Sequence, residues 1–492
     1  VETLRPRIEL LSPDLVRAIV SDAILILERS GVAVENADAR ELLLASGARA
    51  DGGRIKIHAD LIEKSLKTVP ARIQLYDRNG ELCADLGDDR SHFDPGSAAL
   101  KFFDYETGEL RPCKMADAVR FARLIDALDN FAAQSTGVVP SDVPPEVSDS
   151  IRLFIALTSG TKPVVTGTFK RGSFELMRRM LVTVRGSDRA LREKPLAIFD
   201  CCPSPPLMWS DLTCQDLIDA ARAGIPAELV SMPLTGATAP VSLHGAVVQH
   251  CAENLSGIVI HQLAASGSPI IYGGSPAFFD MRTATTPMGA IETMMIDAAF
   301  AQVGKHLHVP THAYMGLSDA KVVDAQAGLE SGMGALMAVL AGVNMISGPG
   351  MMDFENAQSL EKLAIDHDIC GAALRLARGI EPRDAAAIPT LMEVLLREGN
   401  LLSHPHTLRW YKQEGYYPSK IIDRQTDEAS QKHGAKTALD RAHTFVEKTL
   451  AKHKIAPLDA AIHRELETIM NTRLQEFNVT FSDLGILTSK VC

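Results

Sequence analysis

KPVVTGTF (162–169), PLAIFDCC (195–202) and PAELVSMP (226–233) are three short apolar runs, each leaving through small, polar or proline residues. β-Branched and aromatic residues bounded in this way read as buried strands. Outward from them the same unit recurs as SPIIYGG (268–274), THAYMGL (311–317) and GVNMISG (342–348), and upstream as FAAQSTGVV (131–139). An eighth run, HFDPGSAAL (92–100), is the weakest, and ring closure depends on it. Between the runs lie amphipathic stretches such as MADAVRFARLIDAL (115–128) and DLTCQDLIDAARAG (211–224), the second stopping at a glycine. Each cycle takes about 30 to 45 residues from residue 115 to 378. Eight strands alternating with eight helices predict an α/β chain built as a (β/α)8 TIM barrel. An open doubly wound sheet is the competing arrangement of the same pattern.

The flanks read differently. Residues 1–90 form an N-terminal cap, with helices at 12–30 and 36–46 and a strand-rich tail. Residues 91–380 form the barrel. Residues 381–492 form a mostly helical C-terminal extension packing on it, with LDRAHTFVEKTLAKH (439–453) as an amphipathic helix.

Composition narrows the function. The formal charge is −11 with no Lys/Arg-rich run, which argues against a nucleic-acid partner and against anionic membranes. No apolar run approaches the roughly 20 residues that span a bilayer. The stretch VETLRPRIELLSPDL is mixed and charged rather than signal-like, so the expected compartment is the cytoplasm. Eight scattered cysteines without a CxxC pair read as reduced, small hydrophobes. Adjacent Cys201 and Cys202 need an unusual turn to share one metal, so no tightly bound metal is expected. His306 and His308 lead into a strand, at the barrel's lower face. HExxH, GxxxxGK[ST] and GxSxG are all absent from the sequence.

In a barrel the chemistry sits at the C-terminal ends of the strands. Two exits stand out there: GGSPAFFDMRTA (273–284), and YMGLSDAKVVDAQAGLESGMGAL (314–336). They gather the carboxylates Asp280, Asp319 and Glu330 as catalytic candidates. Tyr105, Phe278, Phe279 and Tyr314 are candidate aromatic faces for a cation, an attraction worth roughly 0.5–2 kcal/mol per face. Arg282 and Lys321 are candidate partners for a substrate carboxylate. Trp209 and Tyr272 fall at similar positions, and an ordinary core explains them equally well.

SPAFFDMRT (275–283), GLSDAKVVDAQAGLE (316–330), LAGVN (340–344) and LLSHPHTLRWYKQEGYYPSKIIDR (401–424) together resemble the trimethylamine methyltransferase family over nearly the whole chain. The resemblance implies a (β/α)8 barrel and a methyl transfer to the corrinoid of a partner protein, as in methanogenesis-type methylamine metabolism. Archetypal members carry pyrrolysine in the segment aligning with QAGLESGMG (326–334), near Ser331, where this chain has only ordinary residues. That departure implies the non-pyrrolysine branch, whose substrates are glycine betaine and related quaternary amines. A quaternary ammonium leaves as a neutral amine and needs no general acid at nitrogen. The barrel then holds the cation, exposes one methyl and excludes water. Two other readings stay open at this point: a zinc-dependent thiol methyltransferase on the same barrel, and a non-catalytic quaternary-amine binding protein. A homo-oligomer is compatible with all three.

Overall fold

Each of the eight apolar runs forms a strand in the computed structural model, which describes residues 4–96 and 98–481. They are β1 (His92–Phe93), β2 (Gln134–Ser135), β3 (Val164–Thr166), β4 (Ala197–Cys201), β5 (Ala227–Leu229), β6 (Ile270–Gly274), β7 (Thr311–Tyr314) and β8 (Met345–Ser347). One helix follows each: α1 (Met115–Asp126), α2 (Ser148–Ser159), α3 (Ser173–Arg185), α4 (Asp211–Ala223), α5 (Leu243–Ala264), α6 (Ile291–His306), α7 (Ala325–Leu340) and α8 (Leu360–Ala377). The strands lie in one eight-stranded sheet, β1-β8-β7-β6-β5-β4-β3-β2, and every pairing is parallel. From β2 to β8 every chain neighbour is a sheet neighbour, the order in which right-handed crossovers curl a sheet toward a ring.

The closed ladder expected from the period is not formed. β1 and β2 stand at the two ends of the sheet, tied by isolated bridges at Phe93–Phe131 and Ala99–Val138. Ala132 N donates to Phe93 O at 2.8 Å across this seam. The reason lies in the run HFDPGSAAL: Pro95 has no N–H to continue a ladder, and the strand stops after two residues. The result is an open, barrel-like parallel sheet with one weak seam.

Helix α5 is apolar on nearly every side, and residues 246–262 are all buried. A helix of that kind needs cover on both faces. The sheet supplies one, and the helices Pro13–Arg29, Ala37–Ala45 and Ala59–Leu66 supply the other. The third of these falls in the tail read as strand-rich; its start is fixed by Ala59 N donating to Glu28 Oε1 at 3.0 Å. Trp209 is fully buried against α5, donating to Ser256 Oγ at 2.9 Å, and Tyr272 is also core. The helix Ala438–Lys452 packs on α8 and α1, and Ala460–Gln475 on α2 and α3. Among the described residues, no helix is long and apolar enough to cross a membrane. Seven cysteines are free, five of them buried, and Cys492 lies outside the described residues.

Candidate active site

Strand residues alternate in direction, so each strand of a curled sheet turns one set of side chains inward. At the upper ends the inward set is polar: Asp94 just past β1, Ser135 on β2, Asp200 on β4, Glu228 on β5, His312 on β7 and Ser347 on β8. β6 contributes Gly273, where a Cβ would lie 2.7 Å from His312 O and 3.0 Å from its Nδ1. Glycine there leaves room for the imidazole.

These groups form a connected chain. Ser347 Oγ donates to Asp94 Oδ1 at 2.7 Å, and His312 Nε2 meets Ser347 Oγ at 3.0 Å. Because the serine proton is already given to Asp94, His312 Nε2 carries the imidazole proton, leaving Nδ1 as an acceptor. Nδ1 faces Glu228 Oε1 at 3.2 Å. That distance would suit an ion pair, but burial forbids it. Desolvation pushes His312 down to about 3 and Glu228 well above the carboxylate range, so the two meet as neutral groups. Asp94 is likewise pushed up by burial. Asp200, beside Glu228, is raised to about 7 by desolvation. It is surrounded by protein yet keeps solvent contact, so it borders the open mouth, whereas Asp94, Glu228 and His312 lie sealed beneath it. On the helix side of β2, buried Arg152 on α2 donates Nε to Thr136 O at 2.9 Å and Nη2 to Thr136 Oγ1 at 3.0 Å. It feels the charge of Asp149 first, then that of Asp200 and of Tyr314.

A second acidic group comes from the loop after β8. Asp353, Phe354 and Glu355 take φ of 50°, 56° and 64°, three successive left-handed residues without a glycine. Such residues cost roughly 1–2 kcal/mol each. The turn is held by Lys101 Nζ on Asp353 at 3.0 Å and by Asp353 N on Ala320 O at 3.1 Å. What the strain accomplishes is to aim Glu355 inward. Its carboxyl rises to about 8 through desolvation, takes only a 3.4 Å contact from Ser275 Oγ, and leaves Oε1 without a protein partner among the described residues. Asp297 on α6 is buried with neither oxygen partnered among the described residues.

The residues singled out from the sequence do not all meet in one place. Asp319 accepts Met288 N at 2.9 Å and Gly289 N at 2.8 Å, tying the loop after β6 to the loop after β7; burial raises it to about 6. Glu330 accepts Ser318 Oγ at 2.6 Å and Asp319 N at 2.8 Å, and Lys321 donates to Asp319 O at 2.7 Å while its ammonium sits 3.8 Å over Phe354. Tyr314 joins the ring, edge-on to His312 at 4.9 Å. Phe278 and Phe279 are half-buried on the rim.

Asp280 and Arg282 face outward and satisfy each other. Arg282 Nη2 donates to Asp280 Oδ2 at 2.7 Å and its side chain is 87% exposed. Tyr105 lies on a hairpin, stacked on His443 at 3.7 Å and donating to Asp440 at 2.9 Å. Ser331 turns to α8 and accepts from buried Lys362 Nζ at 2.7 Å; Lys362 also pairs with Asp366 at 2.5 Å. Cys201 packs in the helix-side core and Cys202 in the mouth cluster, on opposite faces of the strand. Among the described residues, no three His, Cys, Asp or Glu side chains gather as a metal site.

Asp94, Arg152, Asp200, Glu228, His312 and Glu355 were not anticipated. Attention to residues just past the strands overlooked Asp200, Glu228 and His312 inside them. A charged residue within an apolar run, as in AIFDC, AEL and THAY, is the signal that exposes them.

A parallel eight-stranded sheet with a polar, partly unsatisfied upper end puts the candidate site at the strand exits, where α/β barrel enzymes work. The model of the family described as trimethylamine methyltransferase (MTTB) matches residues 1–478, and the chain belongs to that family. It is 29% identical over 467 residues to the trimethylamine methyltransferase MttB of Desulfitobacterium hafniense, covering 94% of each chain. It is also 29% identical over 475 residues to a glycine betaine methyltransferase of the same species, covering 96% of this chain and 98% of that one. The fold is similar to the monomethylamine methyltransferase MtmB of Methanosarcina barkeri, with a TM-score of 0.54 at 12% identity over 91% of this chain and 90% of the other. The protein is a methyltransferase.

Proposed function

We propose that this methyltransferase takes a methyl group from glycine betaine, or a closely related small betaine, and passes it to the Co(I) of a corrinoid carried by a partner protein. The observation that carries this reading is QAGLESGMG (326–334), ordinary residues where the family's trimethylamine enzymes are expected to hold pyrrolysine. Ser331 in that segment is committed to Lys362 and away from the mouth. Without a residue to capture or protonate a tertiary amine, the substrate must already carry a good leaving group. In a quaternary amine the N–CH3 bond breaks with its electron pair going to nitrogen, and a neutral amine departs; Co(I) supplies the pair for the new bond.

The mouth suits such a substrate. Asp200 and Glu355 are acids held protonated by burial, and a permanent cation between them favours their ionised forms. The face of Tyr314 adds an aromatic surface. Arg152 is a buried cation within electrostatic reach of Asp200, and we assign it the betaine carboxylate in preference to solvent-turned Arg282. Asp319, Glu330 and Lys321 fix the rim loops and act on the cation by charge. The reaction is read as cytoplasmic, in a unit spanning residues 91–380 with cap 1–90 and extension 381–492. The test is spectroscopic conversion of cob(I)alamin to methylcobalamin with glycine betaine and trimethylamine side by side. Turnover of trimethylamine alone, or of no quaternary amine, removes the proposal.

A further inference from the structure

Two neighbouring residues on α7, Glu330 and Ser331, hold different parts of the rim. Glu330 takes the loop after β7, accepting from Ser318 Oγ and from Asp319 N. Ser331 is fully buried and turns to α8, where Lys362 Nζ donates to its Oγ at 2.7 Å. The same ammonium donates to Asp366 Oδ2 at 2.5 Å, one turn further along α8. Asp366 Oδ2 also accepts Gly350 N at 2.7 Å. Gly350 stands at the root of the loop after β8, the loop that carries Glu355. It takes φ of 86°, and a Cβ there would overlap the Gln358 side chain. Ser359 N closes the root by donating to Gly350 O at 3.2 Å. A line of hydrogen bonds thus runs from QAGLESGMG (326–334), through two charged groups, to the base of the turn that aims Glu355 inward.

Stability does not account for the two charges. Lys362 and Asp366 are each 1% exposed, and a buried ion pair costs about as much in desolvation as its attraction returns. Apolar side chains of the same volume would pack α7 against α8 as well. They could not hold Gly350 N, a buried donor that needs an acceptor, and a carboxylate is the stronger kind. Burial pushes the Asp366 carboxyl up while Lys362 pulls against it, so the lysine sustains the charge on that acceptor. The tip of the same loop is tied to the loop after β7, through Asp353 N on Ala320 O and the Lys321 ammonium over Phe354. Root and tip therefore both lead back to α7, the first through Ser331 and the second through Glu330.

We infer that Lys362, with Ser331 and Asp366, is a positioning residue for methyl transfer: through Gly350 it sets where the Glu355 carboxyl stands in the mouth, a role that rests on Glu355 facing the substrate cation. Lys362 touches no substrate. Its loss lets the root of the loop drift, Glu355 draws away from the cation, and ground-state attraction falls while the bond-breaking step keeps its own groups.

Lys362→Met removes the ammonium and keeps the side chain's length. On the whole chain it should raise KM for glycine betaine about tenfold and lower kcat less than about threefold. In a Glu355→Gln background the same substitution should change KM less than about twofold, because the group it positions is gone. Ser331→Ala, which takes away one hydroxyl, should raise KM about threefold and carries both arms of the test if Lys362→Met does not fold. As a control, Lys162→Met removes an ammonium that donates to Ile125 O and Leu128 O at the lower end; it should lower the thermal midpoint with KM unchanged. Amide hydrogen exchange without substrate reads the loop itself: in Lys362→Met residues 348–359 should exchange about tenfold faster, with β4 at the parent rate. A parent that methylates cobalt from no betaine strikes the substrate reading alone, and the exchange result then decides. Equal KM effects with and without the Glu355 carboxyl, or loop exchange unchanged in both Lys362→Met and Ser331→Ala, overturn the assignment.

Discussion

Replacing Asp200 with asparagine isolates the charge logic of the mouth. Burial holds the Asp200 carboxyl at about 7, against 3.8 in an unfolded chain. Between those values the folded chain keeps a proton that the unfolded chain releases, so stability falls as pH rises from about 4 through 7, then levels off. A difference of about three pH units corresponds to about 4 kcal/mol, and solvent contact at the mouth reduces this to roughly 2 kcal/mol. Asp200→Asn is neutral at every pH, so the variant should match the parent at pH 4 and exceed it by roughly 2 kcal/mol at pH 8. Binding carries the opposite sign. A quaternary cation favours ionised Asp200, so parent affinity should rise about tenfold per pH unit below 7 and flatten above it, with about one proton released per ligand. The variant should bind glycine betaine about 10- to 100-fold more weakly, with no such slope. Denaturant titration at the two pH values measures the first effect, and calorimetry in buffers of different ionisation heat measures the second. Parent binding without proton release, or a variant that keeps the parent's pH slope, refutes the reasoning.

Arg152→Ala should raise KM for glycine betaine at least tenfold while leaving weak choline turnover unchanged, because only the first carries a carboxylate. Glu355→Gln, which removes a charge the substrate would induce, should raise KM more than it lowers kcat; equal losses in kcat and kcat/KM would assign Glu355 to the transition state instead. Gly273→Ala places a methyl within 3 Å of His312 and should cost roughly 1–3 kcal/mol in denaturant unfolding. Trp209→Ala, in the helix-side core, should cost about 3–5 kcal/mol in the same measurement with KM unchanged.

The strand list was legible because buried parallel strands are short apolar runs with distinctive exits, and all eight lie inside the stretches read from sequence. Closure was not legible. It depends on whether Pro95 allows β1 a ladder, and proline was read only as punctuation. The helix Ala59–Leu66 was missed because short apolar runs beside polar ones suit either period. In the site, nearness to a strand exit identified the loops that carry Asp319, Glu330 and Lys321. It did not say which way each side chain turns. Arg282 is drawn outward by its neighbour Asp280, and Tyr105 by Asp440 and His443. Those contacts lie two residues away in the first case and more than 300 in the second, so only the first was open to a local reading. The inward acids were hidden by the apolar runs that contain them.

The seam between β1 and β2 gives the rim a preferred line of compliance. Seven of the eight junctions around the sheet are ladders, and the eighth is a pair of isolated bridges. Stress applied at the mouth by a bulky docked macromolecule should therefore concentrate at Ala99–Val138, the bridge beyond the strand exits, and the lip should widen there like a split collar. The sector from β4 to β8, with Asp200, Glu228, His312 and Ser347, keeps its spacing while the aperture changes, so size of entry and accuracy of alignment are governed by different arcs of the same sheet.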